Sequence, residues 1–155
     1  MPVEAGAVVG TKVIRIRRSA IVKHSAERMF ELVNDVASYP TRFTWCVGAD
    51  VLSQDATHIT ARLEVRIAGF TQSFTTRNTL EPPTHITLAL VDGPFRQLNG
   101  AWDFMPLGEV GCKVSLALDF VYTGVLMAAV IRAGFQKLAD RMVDEFSAEA
   151  DRLYG

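Results

Sequence analysis

Between Lys12 and Val22, Ile14 and Ile16 alternate with Arg15 and Arg17. Period two with one charged side marks a strand that keeps one face in water. Ser25 then stands where a helix N-cap belongs, and Glu27 lies in the first turn beside the positive end of the dipole. Ala26, Met29, Phe30 and Val33 follow at helical spacing. A second short turn or helix is expected over Asp35 to Ser38, limited by Pro40 because the residue before proline avoids αR.

From Trp45 to Tyr122 the period is two again. Ile59, Ala61, Leu63, Val65 and Ile67 alternate with Thr60, Arg62, Glu64 and Arg66. After Gly69, the polar segment Thr71 to Asn78 carries Phe70 and Phe74 on one face. A turn at Pro82-Pro83 precedes Ile86, Leu88 and Leu90, and Asp92-Gly93-Pro94 is another turn. Leu98, Gly100, Trp102 and Phe104 mark one strand. Cys112, Val114, Leu116, Leu118 and Phe120 mark the last, with Pro106 to Gly111 as the hairpin between. After Thr123, a candidate N-cap, the period becomes 3.6 and holds to Leu153, which predicts a single long helix.

This order predicts an α+β domain: a curved antiparallel seven-stranded sheet, two short helices after the first strand, and one terminal helix. Alternation leaves one sheet face apolar, and only the terminal helix is long enough to cover it. A twisted sheet wrapped around one helix encloses a natural ligand cavity. On that helix Met127, Ala128, Ile131, Phe135, Leu138, Met142, Phe146 and Leu153 form the gripped face. Small Gly124 and Ala128 leave space near its start.

Length and composition narrow the picture. The 155 residues suit one domain, expected over 12–155 behind a loose arm, 1–11. Apolar residues at 49% exclude a disordered chain, and a net charge of −1 gives no global affinity for nucleic acid, so no DNA partner is expected. Two cysteines, Cys46 and Cys112, make no disulfide framework and read as small buried hydrophobes in a reducing compartment. The N-terminus lacks the basic n-region of a signal peptide, and the apolar run Val125 to Phe135 is interrupted by Arg132. A membrane span needs roughly 20 residues. A cytoplasmic protein is expected, with peripheral contact at the inner membrane as an option.

The chemistry-bearing residues do not form a catalytic set. His24, His58 and His85 read as surface or turn histidines without metal-ligand spacing, and no nucleophile elbow, phosphate loop or dinucleotide fingerprint occurs. Asp103 and Asp119 fall on the outward phase of their strands. No catalytic residue, metal or cofactor is therefore expected, and an enzyme of cyclase type is the minor alternative. Phe70, Phe74, Trp102, Phe104 and Phe120 share the inward phase, as a packed core or as cavity wall. With Tyr39, Trp45, Phe95, Leu98, Ala128, Ile131 and Phe135, the inward residues Phe70, Phe74, Trp102 and Phe120 make up the candidate ligand-binding set. Trp45 N–H, Tyr39 O–H and Tyr122 O–H are candidate donors to a polar headgroup. Leu126, Ala129, Val130 and Ala133 make the start of the long helix apolar on its outer side as well, which suits loop cover, a dimer contact or membrane docking. The basic residues Lys12, Arg15, Arg17, Arg18 and Lys23 form a solvated strand face, or a patch for anionic lipid headgroups or rRNA phosphate.

Several motifs carry a resemblance. Leu32-Val33-Asn34-Asp35-Val36, Ser38-Tyr39-Pro40 and Trp45-Cys46 resemble the opening signature of the coenzyme-Q-binding branch of the START-like helix-grip superfamily, which shares its fold with Bet v 1-like proteins. Phe74-Thr75-Thr76-Arg77-Asn78, Val91-Asp92-Gly93-Pro94-Phe95, Leu98, Gly100, Trp102 and Phe104 look like that branch's bacterial members, the ribosome-association toxins among them. The similarity runs from Arg17 to Tyr154. It implies a polyketide cyclase-like lipid-transport fold with a hydrophobic tunnel for ubiquinone or another polyprenyl lipid. That ligand would be delivered or sequestered in support of respiration, without catalysis. For some bacterial members it implies instead a ribosomal subunit as partner and impaired subunit association. The chain departs from the pattern at Arg42, where the family has an apolar residue, and at Thr44, where it has proline.

Overall fold

The computed structural model describes residues 13–122 and 129–155. The chain runs β1 (Ile14–Val22), α1 (Ala26–Asn34), a 3₁₀ turn (Val36–Ser38), α2 (Tyr39–Arg42), β2 (Cys46–Gln54), β3 (His58–Ile67), β4 (Phe70–Glu81), β5 (His85–Asp92), β6 (Phe95–Pro106), β7 (Cys112–Tyr122), α3 (Ala129–Asp140) and α4 (Met142–Tyr154). The strands form one antiparallel seven-stranded sheet in the order β1-β7-β6-β5-β4-β3-β2. Strands β2 to β7 are a meander, and β1 closes onto β7 as an edge. Register shifts skip Val47 and Leu52 in β2, Val91 in β5 (opposite Thr75/Thr76 of β4) and Arg96 in β6, which places bulges in three strands. Bulges bend the strand that carries them, so the sheet curls around its apolar face. The β3–β4 hairpin turns on two residues, Ala68 and Gly69, both at positive φ as a type I′ turn requires.

The inner face is the core. Ile59, Ala61, Val65, Ile86, Leu98, Trp102, Phe104, Val114, Leu116 and Phe120 are buried against Phe135, Leu138, Val143, Phe146 and Ala150 of the C-terminal helices. Ser25 caps α1 as its position implies, accepting a hydrogen bond from the Arg28 N–H at 3.1 Å.

The structure corrects the sequence reading at several points. Pro40 does not end the helical segment. Tyr39 takes αR geometry, and Pro40 sits in the first turn of α2, where a missing N–H leaves no bond unmade. The long helix is two helices. Arg141, at φ −101° and ψ 0°, interrupts it, and its N–H closes back on the Leu138 carbonyl at 3.0 Å. The break advances the buried face, so Val143 and Ala150 are buried while Leu153 is 37% exposed. His24 is not a surface histidine. It is 3% exposed beneath α4, with Nε2 2.7 Å from Asp151 Oδ1. Lys12, the N-terminal arm, Thr123, Gly124, Leu126, Met127 and Ala128 lie outside the described residues.

An ion network ties the short helices to α4. Arg152 Nε donates to Glu149 Oε1 at 2.9 Å, and Arg42 reaches Glu149 Oε2 at 3.3 Å and Asp35 Oδ2 at 3.4 Å. Glu149 is 6% exposed, and the Arg152 and Arg42 hydrogen bonds hold its carboxyl below the ordinary glutamate range against the opposing effect of burial. A carboxyl whose folded pKa is lowered stabilises the fold above its unfolded value and loses that contribution as the pH falls through the folded value. Glu149→Gln is therefore expected to be less stable than the wild type at neutral pH, by on the order of 1–3 kcal/mol. Urea midpoints should converge as the pH drops below about 4.5. A stability gap that persists unchanged into acid would contradict the ion network as its source.

Candidate functional site

Between the curled sheet and the C-terminal helices lies a cavity of about 120 Å³. Its floor is the inner face of the sheet: Ala61, Leu63 and Val65 of β3, Phe74, Thr76 and Asn78 of β4, Leu88 of β5, Leu98 and Trp102 of β6, and Leu116 and Leu118 of β7. Phe135, Leu138 and Ala139 of α3 and Met142 and Phe146 of α4 form the roof. Val36, Tyr39 and Trp45 close one side. No carboxylate, imidazole, amine or guanidinium is among these lining residues.

Two aromatic clusters wall the space. On one side Trp45 stacks on Phe43 at 5.0 Å, while Tyr39 meets Phe43, Trp45 and Phe146 edge-on and Trp102 meets Phe146 at 5.3 Å. On the other, Phe135 packs on Phe95 at 4.8 Å, Phe120 at 5.2 Å and Phe74 at 6.0 Å. Such ring pairs interlock and make stiff walls.

The sequence-predicted ligand set divides accordingly. Tyr39, Trp45, Phe74, Leu98, Trp102 and Phe135 line the cavity. Phe95, Phe120 and Ile131 are buried but are not among the lining residues; Phe95 and Phe120 pack against Phe135. Phe70 has the inward phase yet is 52% exposed, because it starts β4 at the hairpin end, where the roof does not cover it. Ala128 and Leu126 fall outside the described residues, and Val130 is 53% exposed on α3. Arg42 is directed to Glu149 and Asp35 and is not part of the cavity edge.

The three anticipated headgroup donors are all engaged by the protein. Trp45 Nε1 donates to Glu145 Oε1 at 3.1 Å, Tyr122 O–H to the Arg132 carbonyl at 2.6 Å, and Tyr39 O–H to the Val33 carbonyl. Burial drives the Tyr39 phenol far above its ordinary range, helped by Cys46 and Asp35, and pushes Tyr122 up to about 12 against the nearby Arg132. Both phenols stay protonated donors locked onto carbonyls. The polar lining residues the sequence reading missed are Thr76 and Asn78. They share the phase of Phe74, which is the signal that could have placed them inside.

Elsewhere, Arg15, Arg17, Arg18 and Lys137 flank an open groove between the β1 edge and α3, together with Asp140. Arg17 pairs with Asp119 at 2.8 Å and Arg18 with Asp140 at 2.5 Å. Asp103 lies on the outer face, 2.6 Å from His85 Nδ1. His58 Nδ1 meets the Thr57 hydroxyl at 2.9 Å. Among the described residues no group of three or more His, Cys, Asp or Glu side chains could hold a metal. Cys46 and Cys112 are buried free thiols whose pKa values burial raises, which leaves them protonated and unreactive.

Residues 22–147 match the family described as polyketide cyclase / dehydrase and lipid transport. The chain belongs to that family. Its fold is START-like. The Zhui aromatase/cyclase of Streptomyces sp. R1128 superposes with a TM-score of 0.77 at 20% identity, over 93% of this chain and 97% of that one. A relative in Vibrio cholerae, named ribosome association toxin RatA, is 43% identical over 91% of this chain and 98% of its own length. Another, the mitochondrial coenzyme Q-binding protein COQ10 homolog B of Xenopus laevis, is 27% identical over 97% of this chain and 64% of that protein. Among the described residues no helix is long and apolar enough to cross a membrane.

The cavity's size separates it from a tunnel for a polyprenyl chain, since ordinary ligand pockets run to about 300–1,000 Å³. A void of about 150 Å³ lined by apolar side chains stays dry and takes up benzene. Ala139, 3% exposed on α3, is a small residue on this wall. Ala139→Leu is expected to hold or raise the thermal midpoint, because the added carbons fill empty space, while blocking uptake of an aromatic probe. A loss of about 1–3 kcal/mol would instead mark a wall already closely packed at that point.

Proposed function

We propose that the chain is a non-enzymatic binding protein for a hydrophobic, ring-bearing ligand, and that a benzoquinone headgroup of the ubiquinone kind is its occupant. The observation that carries this reading is the cavity: ring-sized, walled by interlocked aromatics, and free of titratable side chains suited to acid, base or nucleophilic work. Cyclase chemistry would need such a group inside. The name of the coenzyme Q-binding relative supports the quinone assignment. A polyprenyl tail exceeds the space, so it lies outside the cavity or widens it on entry. Its apolar surface adds affinity at roughly 25 cal/mol per Å² wherever it is covered. Antiparallel pairing puts the β3–β4 and β5–β6 turns at one end of the sheet, where Phe70 and Val91 are more than half exposed. Those side chains suit peripheral contact with a membrane that supplies the ligand, as for a cytoplasmic protein working at the inner membrane.

Both tryptophans of the chain, Trp45 and Trp102, line the cavity. Titration with a decyl-tailed benzoquinone is therefore expected to quench most of the tryptophan emission saturably. Organic extracts of the purified protein should carry quinone or lipid by mass spectrometry. Clean extracts together with unsaturable, collision-like quenching would remove this reading.

A second reading, binding to a ribosomal subunit, is favoured by the relative named ribosome association toxin, which matches along 98% of its length. The groove at the β1 edge offers Arg15 and Lys137 beside the ion-paired Arg17 and Arg18. Phosphate contacts through such residues are salt-sensitive. The protein is expected to co-sediment with subunits at moderate salt, and Arg15→Ala with Lys137→Ala should weaken this several-fold and flatten its salt dependence. Sedimentation free of ribosomes at every salt concentration counts against it.

A further inference from the structure

The inner face of β4 reads Phe70, Gln72, Phe74, Thr76, Asn78, Leu80. Asn78 is the most buried polar residue of that face. It pairs with Ile59 on β3 and Leu88 on β5, is 9% exposed, and lines the cavity. The Thr76 hydroxyl donates to Asn78 Oδ1 at 2.9 Å, which occupies the amide oxygen and fixes the orientation of the group. Among the described residues nothing accepts a hydrogen bond from Asn78 Nδ2, and that nitrogen stays open to the cavity. Of the ring donors on the same wall, the Tyr39 phenol and the Trp45 indole are already bound to Val33 and Glu145. The Trp102 indole N–H makes no hydrogen bond among the described residues, and Asn78 alone offers a donor oriented by a neighbouring side chain.

A buried amide with idle N–H groups is unfavourable in an otherwise apolar space, because it has left water without finding a partner. An apolar side chain at this position would pack without that penalty. The arrangement makes sense when an occupant brings the missing acceptor. We propose that Asn78, oriented by Thr76, is the polar anchor of the cavity and donates to one acceptor oxygen of an otherwise hydrophobic ligand. This rests on the cavity being a ligand site. It selects, among hydrophobic molecules that fit, those with a carbonyl or ether oxygen on the ring, and it disfavours plain hydrocarbons. A site built to hydrogen-bond a group rejects the analogue lacking it, since the buried donor is then left unpaired.

The test uses the full chain and two probes of matched tail length, a decyl-tailed dimethoxy-benzoquinone and decylbenzene. Quinone binding is read by quenching of tryptophan emission, and decylbenzene binding by displacement of the quinone. The wild type is expected to prefer the quinone. Asn78→Leu should weaken quinone binding about tenfold, the scale of one hydrogen bond, while decylbenzene binds as before or more tightly. Asn78→Asp preserves the shape and replaces the donor with an acceptor, so it should lose quinone by at least as much. Thr76→Val, which frees the amide to rotate, should give a smaller loss of quinone affinity alone. If Asn78→Leu loses both probes equally, Asn78→Asp decides: quinone affinity at the wild-type level there overturns the anchor, and selective loss upholds it. Unchanged quinone binding in both Asn78 variants overturns the anchor and leaves the cavity reading standing. Failure of the wild type to bind either probe overturns the cavity reading and the anchor with it.

Discussion

The structure depends on covering one concave apolar surface with a limited length of helix. Bulges in β2, β5 and β6 curl the sheet, and a curled face offers more area than a straight rod can touch. The chain meets this in two ways. It breaks its C-terminal helix at Arg141, so that Phe135 and Leu138 follow one part of the curve and Val143, Phe146 and Ala150 the next. It also brings in Tyr39, Phe43 and Trp45 from the segment after α1 to close the side the helices do not reach. What these cannot fill is the cavity. A void in a protein interior forfeits contacts and is ordinarily avoided. Here the stiff aromatic walls hold it open, since each ring is fixed by at least one other and Trp45 is further tied to Glu145.

The placement of polar groups follows the same division. Charges sit outside the sheet or at the helix junctions, as in Arg17–Asp119, Arg18–Asp140 and Arg42–Glu149–Arg152. The Tyr39 and Tyr122 phenols and the Trp45 indole turn their hydrogens onto protein acceptors. Burial then stabilises the neutral phenols, so these groups offer an incoming ligand a surface but no free donor. Thr76 and Asn78 add a hydroxyl and an amide to the lining of the space itself.

Much of this was legible in the chain. Strict alternation along Ile59 to Ile67 and Cys112 to Phe120 requires strands with one apolar face, and Ser25 with Glu27 marks the start of α1. Alternation reports which face a side chain takes, but not how deep it lies or what stands over it. Phe70 and Trp102 share an inward phase, yet one ends under open solvent at a hairpin and the other under Phe146. Phe120 looks equivalent to Phe74 by phase, and Phe95 comes inward only through the bulge at Arg96; both are packed out of the cavity lining. Tyr39-Pro40 carries a local preference against αR that packing on Phe43, Trp45 and Phe146 overrides. The break at Arg141 has no glycine or proline to announce it. Asn78 was hidden for another reason: in a polar stretch, a polar residue on the inward phase draws no notice until the strands beside it are known.

A fold shared with an aromatase/cyclase and a protein named for ribosome association does not by itself choose between chemistry and binding. The side chains that face the cavity bear on that choice, and here they are apolar apart from the Asn78 amide, the Thr76 hydroxyl, the Trp102 indole and the Tyr39 and Trp45 rings, whose polar ends are occupied. The two binding readings meet in α3. Its Phe135, Leu138 and Ala139 roof the cavity, while its Ala133, Gln136, Lys137 and Asp140 line the groove at the β1 edge. Gly134 lies between these sets, and a side chain there would collide with Ile67 of β3, so the helix is seated against the sheet at that point. A single helix held this closely presents one face to the cavity and another to the basic edge. The cavity and the basic groove are therefore opposite sides of one rigid element, and neither reading requires the other to be given up.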